Sequence, residues 1–337
     1  MTLPCPAASR PKVPLLAALG AGVGLFLSHP AHAATEGGDL LTSNRTALLD
    51  DGRQIRASVL RHTLVQATGG ARDDGMWTST WGHWGDHDGN AGAARLRSNG
   101  GGVVGGIDRD LGELHVGALV GAGNLTARAP GGVVQAQSSV AGGYVSGQQG
   151  HWEWQGGASY TWSRMDSHRR TPGAVAEARY GGGIAQAWVD GGYRFATPRG
   201  SITPFVNLAR AQLFQDAINE TNAPTALRVD GTHGHVDIGT VGVRGAMQFQ
   251  DGVVGHAGLG YQHAWGDDVR PTDTQRLIPD GDPMRAIGVP TPRNAAVADL
   301  GIAFATSKGT SVDASYRGMF GGGSKDQALR VSVTIKW

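Results

Sequence analysis

The chain has 337 residues, and 55 of them are glycine, whereas an average composition would give about 24. Charged residues make up 17% of the chain and the formal net charge is +1, which argues against a nucleic-acid-binding protein with a large basic surface. The single cysteine, Cys5, excludes a disulfide scaffold and a zinc site built from cysteines.

The first 33 residues have the composition of an export signal. Basic residues precede an apolar run over residues 13–27, and a small-residue cleavage motif, Ala31-His32-Ala33, follows it. The run is too short to span a membrane comfortably, so we predict a signal peptide over residues 1–33, cleaved after Ala33. No later stretch reaches the ~18 to 20 apolar residues of a transmembrane helix. The exported chain is therefore expected to be either soluble or a closed outer-membrane β-barrel.

A helical pattern begins near Asn44. Apolar residues recur there at steps of three, four and seven, namely Leu41, Leu48, Ile55 and Val59. Thr42 and Ser43 are candidate N-caps, and the opposite face carries four arginines, Arg45, Arg53, Arg56 and Arg61. About 20 helical residues rise about 30 Å, which is the thickness of a bilayer core. We therefore predict a helix over residues 44–68 that threads a barrel lumen; the alternative is a short amphipathic helix packed on any domain.

From residue 75 the apolar period changes from 3.6 residues to two, which is the period of a β-strand. The clearest alternation lies in segments 152–163 and 329–337. Marking the ends of such segments predicts twelve strands, at about residues 76–84, 100–108, 112–124, 133–147, 151–165, 178–195, 201–215, 230–250, 252–266, 295–306, 310–320 and 327–337. Several exceed the five or six residues usual in soluble sheets and reach the ten or so of a tilted membrane strand.

The predicted connections alternate between short and long. The longer ones lie around residues 85–99, 125–132, 166–177, 216–229, 267–294 and 321–326. An even strand number with short turns on one side and long loops on the other is typical of outer-membrane barrels. The sequence therefore predicts an all-β fold, a 12-stranded antiparallel outer-membrane β-barrel over residues 75–337, with the long loops extracellular. A soluble sandwich with the same alternation is the alternative.

A barrel fold predicts positions for two sets of side chains. Aromatic residues near strand ends suit two interfacial girdles, and the candidates are Trp77, Trp84, Trp152, Trp162, Tyr193, Trp265 and Trp337. Five acids fall mainly on polar strand faces, namely Glu113, Glu153, Asp190, Asp299 and Asp313. We expect some of them to pair with the helix arginines inside the lumen, where confined charges interact more strongly than exposed pairs.

Several short motifs resemble the translocator unit of monomeric type V autotransporters, over roughly residues 40–337. Gly75-Met76-Trp77 resembles the first strand of that family, Gly106-Ile107-Asp108-Arg109 its second strand and turn, and Ile202-Thr203-Pro204-Phe205 the start of its seventh strand. The C-terminal segment resembles the signal read by the barrel assembly machinery, and its alternating residues are Leu329, Val331, Val333, Ile335 and Trp337.

The resemblance implies a monomeric barrel in outer-membrane lipid that helps to translocate or display its own N-terminal segment. The Sec translocon and the barrel assembly machinery are the implied partners during biogenesis. Such proteins usually carry a large passenger, whereas here only residues 34–43 separate the predicted signal peptide from the helix. No adhesin, protease or toxin activity therefore carries over, and we expect neither a cofactor nor enzymatic activity. The alternatives are a pore or structural barrel without a passenger, or an outer-membrane rim protease.

Three motifs associated with chemistry elsewhere receive a simpler interpretation. Residues 100–105 match the dinucleotide-binding pattern G-x-G-x-x-G, but a strand is expected to follow them instead of the required helix. His233, His235 and Asp237 have the chemistry of a metal site or of an acid–base group at the outer rim. The run Asp86-His87-Asp88 falls in the first predicted long loop. For the last two motifs, solvated rim residues are the simpler interpretation.

Overall fold

The computed structural model describes residues 37–68, 74–90, 92–307 and 309–337. It contains one long helix, α1 (Gly38–Thr68), and twelve long strands: β1 (Gly75–His87), β2 (Leu96–Asp110), β3 (Leu114–Ala129), β4 (Gly132–Gln149), β5 (Trp152–Thr171), β6 (Ala174–Tyr193), β8 (Gly200–Gln215), β11 (Thr232–Gln250), β12 (Val253–Trp265), β15 (Asn294–Ser307), β16 (Thr310–Gly321) and β17 (Ser324–Lys336). The short strands are β7 (Phe195–Thr197), β9 (Ile218–Asn219), β10 (Leu227–Val229), β13 (Thr272–Leu277) and β14 (Met284–Ile287). The predicted signal peptide, with Ala31 and Ala33, lies outside the described residues and stays a prediction.

The twelve long strands form a closed barrel. Each pairs antiparallel with its neighbours, and β1 pairs with β17 along its whole length, with Gly75 opposite Lys336 and His87 opposite Ser324. Closure leaves none of these strands with an unpaired edge, which is the requirement for β-structure inside a bilayer. The predicted 12-stranded antiparallel barrel with an N-terminal helix is confirmed.

The two faces of the barrel wall follow the alternation of the sequence. Trp152, Trp154 and Trp162 are exposed on the outer face, whereas the intervening Glu153 and Gln155 are buried inside. The eleven residues from Trp152 to Trp162 are separated by ten steps and extend about 33 Å at about 3.3 Å per step. A strand tilt of about 45° reduces this to about 23 Å, which is close to the ~25 Å apolar band of outer-membrane barrels.

Trp77 is an exception among the predicted girdle residues. Its side chain is only 3% exposed, and it shares the inner face of β1 with Ser79, Trp81 and His83. Assigning Trp77 to a lipid-facing girdle was therefore wrong. The amphipathic indole is equally suited to a polar lumen when its N–H finds an acceptor, and Trp77 Nε1 donates to the hydroxyl of Tyr144 at 2.6 Å.

The predicted connections were too long at one end of the barrel. The β3–β4 and β5–β6 pairs continue to tight turns at residues 130–131 and 172–173, where long loops were expected. Beyond Trp162 the outward side chains become charged, as in the Arg179–Asp166 ion pair of 2.6 Å. The apolar alternation therefore ends while the backbone ladder continues, which is why the pattern underestimated these strands.

The two longest connections fold into a small sheet over the same end of the barrel. Residues 216–231 contribute β9 and β10, residues 266–293 contribute β13 and β14, and the four strands pair in the order β14-β13-β10-β9. A 3-10 turn, Asp267–Val269, leads into this sheet. The long loops are therefore structured. They narrow the opening of the barrel at the end where α1 begins, which we call the mouth.

Helix α1 begins at Gly38, earlier than predicted, so Thr42 and Ser43 lie inside the helix and are not its caps. Residues 40–59 are buried without exception. An amphipathic helix packed on a domain, the alternative, would bury one face, whereas α1 is enclosed on all sides, as expected for a helix that threads the lumen, and its polar residues face a polar wall. Within the described residues, no helix is long and apolar enough to cross a bilayer.

Candidate functional site: the lumen and its helix

Helix α1 runs along the inside of the barrel from the long-loop end to the short-turn end. It packs against β1 to β5 and β17, and its first residues also contact β13 and β14. Its 31 residues correspond to about 46 Å at about 1.5 Å per residue. The helix therefore exceeds the thickness of the bilayer core, and its first turns reach the structured loops.

At the mouth, the loops bind the start of α1. The Arg45 guanidinium lies 3.0 Å from Asp268 and 3.2 Å from Asp273, and it donates to the carbonyl of Thr272 at 3.1 Å. The Gln275 side chain donates to the carbonyl of Gly38 at 2.8 Å. Burial raises the pKa of Asp268 to about 6, although the charge of Arg45 opposes the rise. The predicted lumen arginine Arg45 thus binds loop carboxylates at the mouth.

The middle of the helix carries a buried ionic cluster on the side of β1 and β17. The Asp50 carboxylate lies 2.7 Å from the His87 ring and 3.0 Å from the Arg53 guanidinium. Asp326 of β17 accepts a hydrogen bond from Gln54 at 2.9 Å and lies 4.0 Å from Arg53. These side chains are nearly inaccessible to solvent, so each depends on its partner to offset the cost of burial.

A histidine of the wall extends this cluster. His83 lies between two carboxylates, 3.1 Å from Asp326 and 3.3 Å from Asp51 of the helix. His87, which was expected in a loop, ends β1 and faces the lumen, whereas Asp86 faces outward and pairs with Arg95 at 2.5 Å. The alternation of β1 therefore separates the Asp86-His87-Asp88 run between two sides of the wall.

A close approach of helix to wall occurs at Gly52. Gln186 of β6 donates to the carbonyl of Gly52 at 3.0 Å and accepts from Arg56 at 3.1 Å. A Cβ at Gly52 would lie 3.1 Å from the Gln186 side-chain nitrogen. Glycine lowers the helix propensity, but here its missing side chain allows the wall to bond to the helix backbone.

Toward the short-turn end, two further wall carboxylates bind the helix. Arg61 forms two hydrogen bonds to Asp313, of 3.2 and 3.0 Å. His62 lies 2.7 Å from Asp108, and its ring stacks on the indole of Trp77 at 4.6 Å between centroids. Asp108 also accepts from the Tyr144 hydroxyl. This end of α1 is therefore bound through two contacts, the Arg61–Asp313 ion pair and the packing of His62 against Asp108 and Trp77.

The five predicted lumen acids have different roles. Asp313 pairs with the helix, whereas Glu153 and Asp190 bind the wall residue Arg244 at 2.6 and 2.8 Å. Asp299 lies 3.5 Å from the wall residue His256. The prediction that Glu113 is a lumen acid was wrong, because its side chain is exposed in the turn between β2 and β3 and does not face the lumen. A single strand pattern identifies inward residues but not which of them face the helix.

Several helix partners were missed by sequence reasoning. Asp326 had a signal, since it shares the inward parity of Ala328 and Arg330 on the last strand, but the predicted strand began after it. Asp268 and Asp273 lie in a predicted loop, where no periodicity marks a buried residue. Arg330 donates to the Ser58 hydroxyl at 3.0 Å and adds a wall cation to those of the helix.

A cavity of about 130 Å³ remains beside the helix. It lies on the side of β8, β11, β12 and β15, away from the strands against which α1 packs. Its lining includes five arginines, namely Arg53, Arg56, Arg61, Arg244 and Arg317. This volume is large enough to hold several water molecules.

The remaining candidate motifs show no catalytic geometry. His235 faces outward at the rim, 3.0 Å from Asp267 and 3.6 Å from Asp237. Within the described residues, no group of three His, Cys, Asp or Glu side chains is placed to hold a metal ion. Residues 100–105 lie inside β2, and a Cβ at Gly102 would come within 2.7 Å of the Trp81 indole, so these glycines make room for an aromatic ring.

Comparison with known proteins agrees with this geometry. The family model described as Autotransporter beta-domain matches residues 76–317. The chain belongs to the autotransporter β-domain family. An extracellular serine protease of Serratia marcescens is 27% identical over 322 residues, a match that covers 89% of this chain and 30% of that protein. This autotransporter chain therefore spans about a third of the length of the curated relatives it matches.

Two solved structures have the same fold. The translocator domain of the autotransporter NalP from Neisseria meningitidis has a TM-score of 0.71 at 18% identity, covering 90% of this chain and 100% of that domain. The β-domain of the Bordetella autotransporter BrkA has a TM-score of 0.61 at 17% identity, covering 79% and 100%. The autotransporter chain is thus a translocator barrel of the bacterial outer membrane, with its long loops extracellular.

Proposed function

We propose that this barrel retains α1 as a plug and displays the chain N-terminal to α1 at the cell surface. The orientation of α1 carries the proposal. Its first residue, Gly38, is bound at the extracellular mouth by Gln275, and Asp39 accepts from the backbone N–H of Ala94 in the β1–β2 loop at 2.6 Å. A chain that leaves α1 at this point continues outside the cell.

The charges of α1 support a helix that stays in the lumen. Each predicted helix arginine has a partner on the wall, in the loops or on the helix itself, as with Arg61 and Asp313. An arginine in lipid would cost several kcal/mol, and the paired lumen removes that cost. An open pore would need no such partners, so the plug is favoured over a passenger-less pore.

The final strand supports assembly from the lipid side. Leu329, Val331 and Ile335 are 56%, 49% and 42% exposed on the outer face, and the terminal Trp337 is 68% exposed. We infer that this row is the signal by which the barrel assembly machinery recognises the chain after export through the Sec translocon. The closed barrel needs no strand from a partner, and we propose that it functions as a monomer in outer-membrane lipid.

We assign no catalysis to the barrel. The relatives from Serratia marcescens are described as serine proteases, but the match covers 30% of their length. Many described carboxylates and histidines of the lumen are occupied in pairs with the helix or the wall, as with Asp50 and His87 or Glu153 and Arg244. Any activity at the surface therefore belongs to chain outside the barrel.

Surface labelling of an epitope tag tests the proposal. A tag inserted after Ala34 should be labelled on intact cells as strongly as a tag at Gly173, which lies in an extracellular turn. A matched tag at Gly150, in the opposite turn between β4 and β5, should be labelled only after the outer membrane is permeabilised. Protection of the Ala34 tag on intact cells, with the Gly173 tag still labelled, would contradict display.

A further inference from the structure

The cavity beside α1 has more cationic than anionic side chains in its lining. Five arginines and three carboxylates line its volume of about 130 Å³, and the carboxylates are those of Glu153, Asp190 and Asp299. Glu153 and Asp190 both bind the guanidinium of Arg244, at 2.6 and 2.8 Å. These two carboxylates are therefore directed to one arginine and not to the other four.

Two of the other four arginines pair with carboxylates that lie outside the lining. Arg61 pairs with Asp313, and Arg53 pairs with Asp50, each at 3.0 Å. The last two arginines of the lining form no ion pair with any residue that the structure describes. They are Arg56 on the helix and Arg317 on the wall.

Arg56 is the more deeply buried of these two arginines. The residue is 5% exposed, and its guanidinium donates to the neutral amide oxygen of Gln186 at 3.1 Å. The charged groups that act on it most strongly are two other arginines, Arg53 and Arg317. A buried guanidinium with a neutral acceptor and like-charged neighbours is destabilising unless an anion lies beside it.

Arg317 lines the same cavity from the wall. It makes no hydrogen bond within the described part of the chain. Asp299 lies opposite Arg317 in the β15–β16 ladder but outside ion-pair distance, and its carboxylate is instead 3.5 Å from the His256 ring. The N–H donors of the Arg317 guanidinium are therefore available to a ligand in the cavity.

The cavity separates the helix from part of the wall. Helix α1 packs against β1 to β5 and β17, whereas the cavity lies toward β8, β11, β12 and β15. Its lining continues to Ser201, Ala246 and Val254, which lie within a few residues of the short turns. The cavity thus extends toward the periplasmic end, and a ligand in it would contact both the helix and the wall.

We propose that this cavity binds a small inorganic oxyanion of the phosphate class between Arg56 of the helix and Arg317 of the wall. A guanidinium offers parallel N–H donors that match two oxygens of a phosphate, which favours an oxyanion over chloride. The volume that holds several water molecules also accommodates such an anion. The bound anion offsets the unpaired charges and ties α1 to the side of the wall against which it does not pack. The site rests on the position of α1 in the lumen and not on surface display.

Phosphate binding by the refolded full-length chain in dodecyl maltoside micelles tests the site. Radiolabelled inorganic phosphate is titrated by equilibrium dialysis at neutral pH and constant ionic strength, with sodium chloride as the balancing salt. Saturable binding is expected. Arg56→Gln and Arg317→Gln should each weaken it about tenfold, as expected for loss of a charge-assisted hydrogen bond. Arg317→Lys, which keeps the charge without the planar fork, should retain part of the affinity.

Arg330→Gln is the matched control, because it removes a lumen arginine that does not line the cavity. The Arg330 guanidinium donates to Ser58 at 3.0 Å and to Gln54 at 3.2 Å, so its loss should leave phosphate binding unchanged. Retained heat-modifiable mobility verifies that each variant is folded. As a second measurement, phosphate should raise the urea midpoint of the unmodified chain but not that of Arg56→Gln.

Three results would overturn the proposal. An absence of saturable binding, or displacement of phosphate by an equal concentration of chloride, would rule out an oxyanion site. Unchanged affinity in both Arg56→Gln and Arg317→Gln would rule out this location. An equal loss in Arg330→Gln would mean that the net charge of the lumen, and not contact, decides binding. Surface display is measured separately on cells, so its failure would leave these results intact.

Discussion

The ion pair between Arg61 and Asp313 gives a direct test of how the lumen holds its helix. The two hydrogen bonds of 3.2 and 3.0 Å are largely shielded from water, since the side chains are 12% and 5% exposed. Breaking a buried pair costs about 3–5 kcal/mol. Asp313 retains His256 at 2.9 Å when Arg61 is removed, so we expect Arg61→Ala to cost about 2 kcal/mol.

The opposite truncation should cost more. Asp313→Ala leaves both Arg61 and His256 without their shared carboxylate, and we expect a loss of about 3 kcal/mol in the free energy of unfolding. In the double variant the cost should be less than the sum, with a coupling energy of about 1.5 kcal/mol. Urea unfolding in phospholipid vesicles measures these values, with Arg109→Ala as an exposed control. A coupling below about 0.5 kcal/mol would refute a helix held by this pair.

Three further predictions concern the plug, the mouth and assembly. Deleting residues 38–68 should raise single-channel conductance several-fold in planar bilayers; equal conductance would mean that α1 does not obstruct the lumen. Because the pKa of Asp268 is raised from 3.8 to about 6, the folded mouth binds this proton more tightly than the opened mouth, and it should lose up to about 3 kcal/mol of stability between pH 4 and 6. Hydrogen exchange of the first turns of α1, corrected for intrinsic rates, should show this loss, and Asp268→Asn should reduce it, with a remainder from Asp273, whose pKa burial also raises. Protection independent of pH in the unmodified chain would contradict the prediction. Deleting Trp337 should reduce the amount of heat-modifiable barrel in outer-membrane fractions, and an unchanged amount would count against the C-terminal signal.

The pattern of the strands was readable because it depends on local chemistry. A barrel wall between lipid and a polar lumen requires apolar and polar residues to alternate along each strand. Trp152, Glu153 and Trp154 can therefore be assigned to the outer or the inner face without any tertiary information. The same reasoning failed above the membrane, where the outer face of the β5–β6 hairpin is charged and its inner face mixes apolar Met165 and Ala178 with Arg169. It also failed for Trp77, since an indole fits a polar lumen as well as an interface.

The contacts between the helix and the wall could be identified only from the closed barrel. Asp50, His87 and Asp326 come from the helix, the first strand and the last strand, and they meet because β1 pairs with β17. Sequence reasoning identified Arg61 and Asp313 as candidates, but it had no means to choose Asp313 over Glu153, which binds Arg244 instead. Loop residues such as Asp268 carried no periodic signal at all.

The sequence by itself determined the class of protein, the number of barrel strands and the presence of a membrane-length helix. Each of these is written in a repeat of two or 3.6 residues, which the local geometry of the backbone imposes. The tertiary structure alone decided which wall carboxylates bind which helix residues. Pairing depends on the rotation and depth of α1 in the lumen, and those are fixed by contacts such as Gln186 with Gly52, whose partners are far apart along the chain.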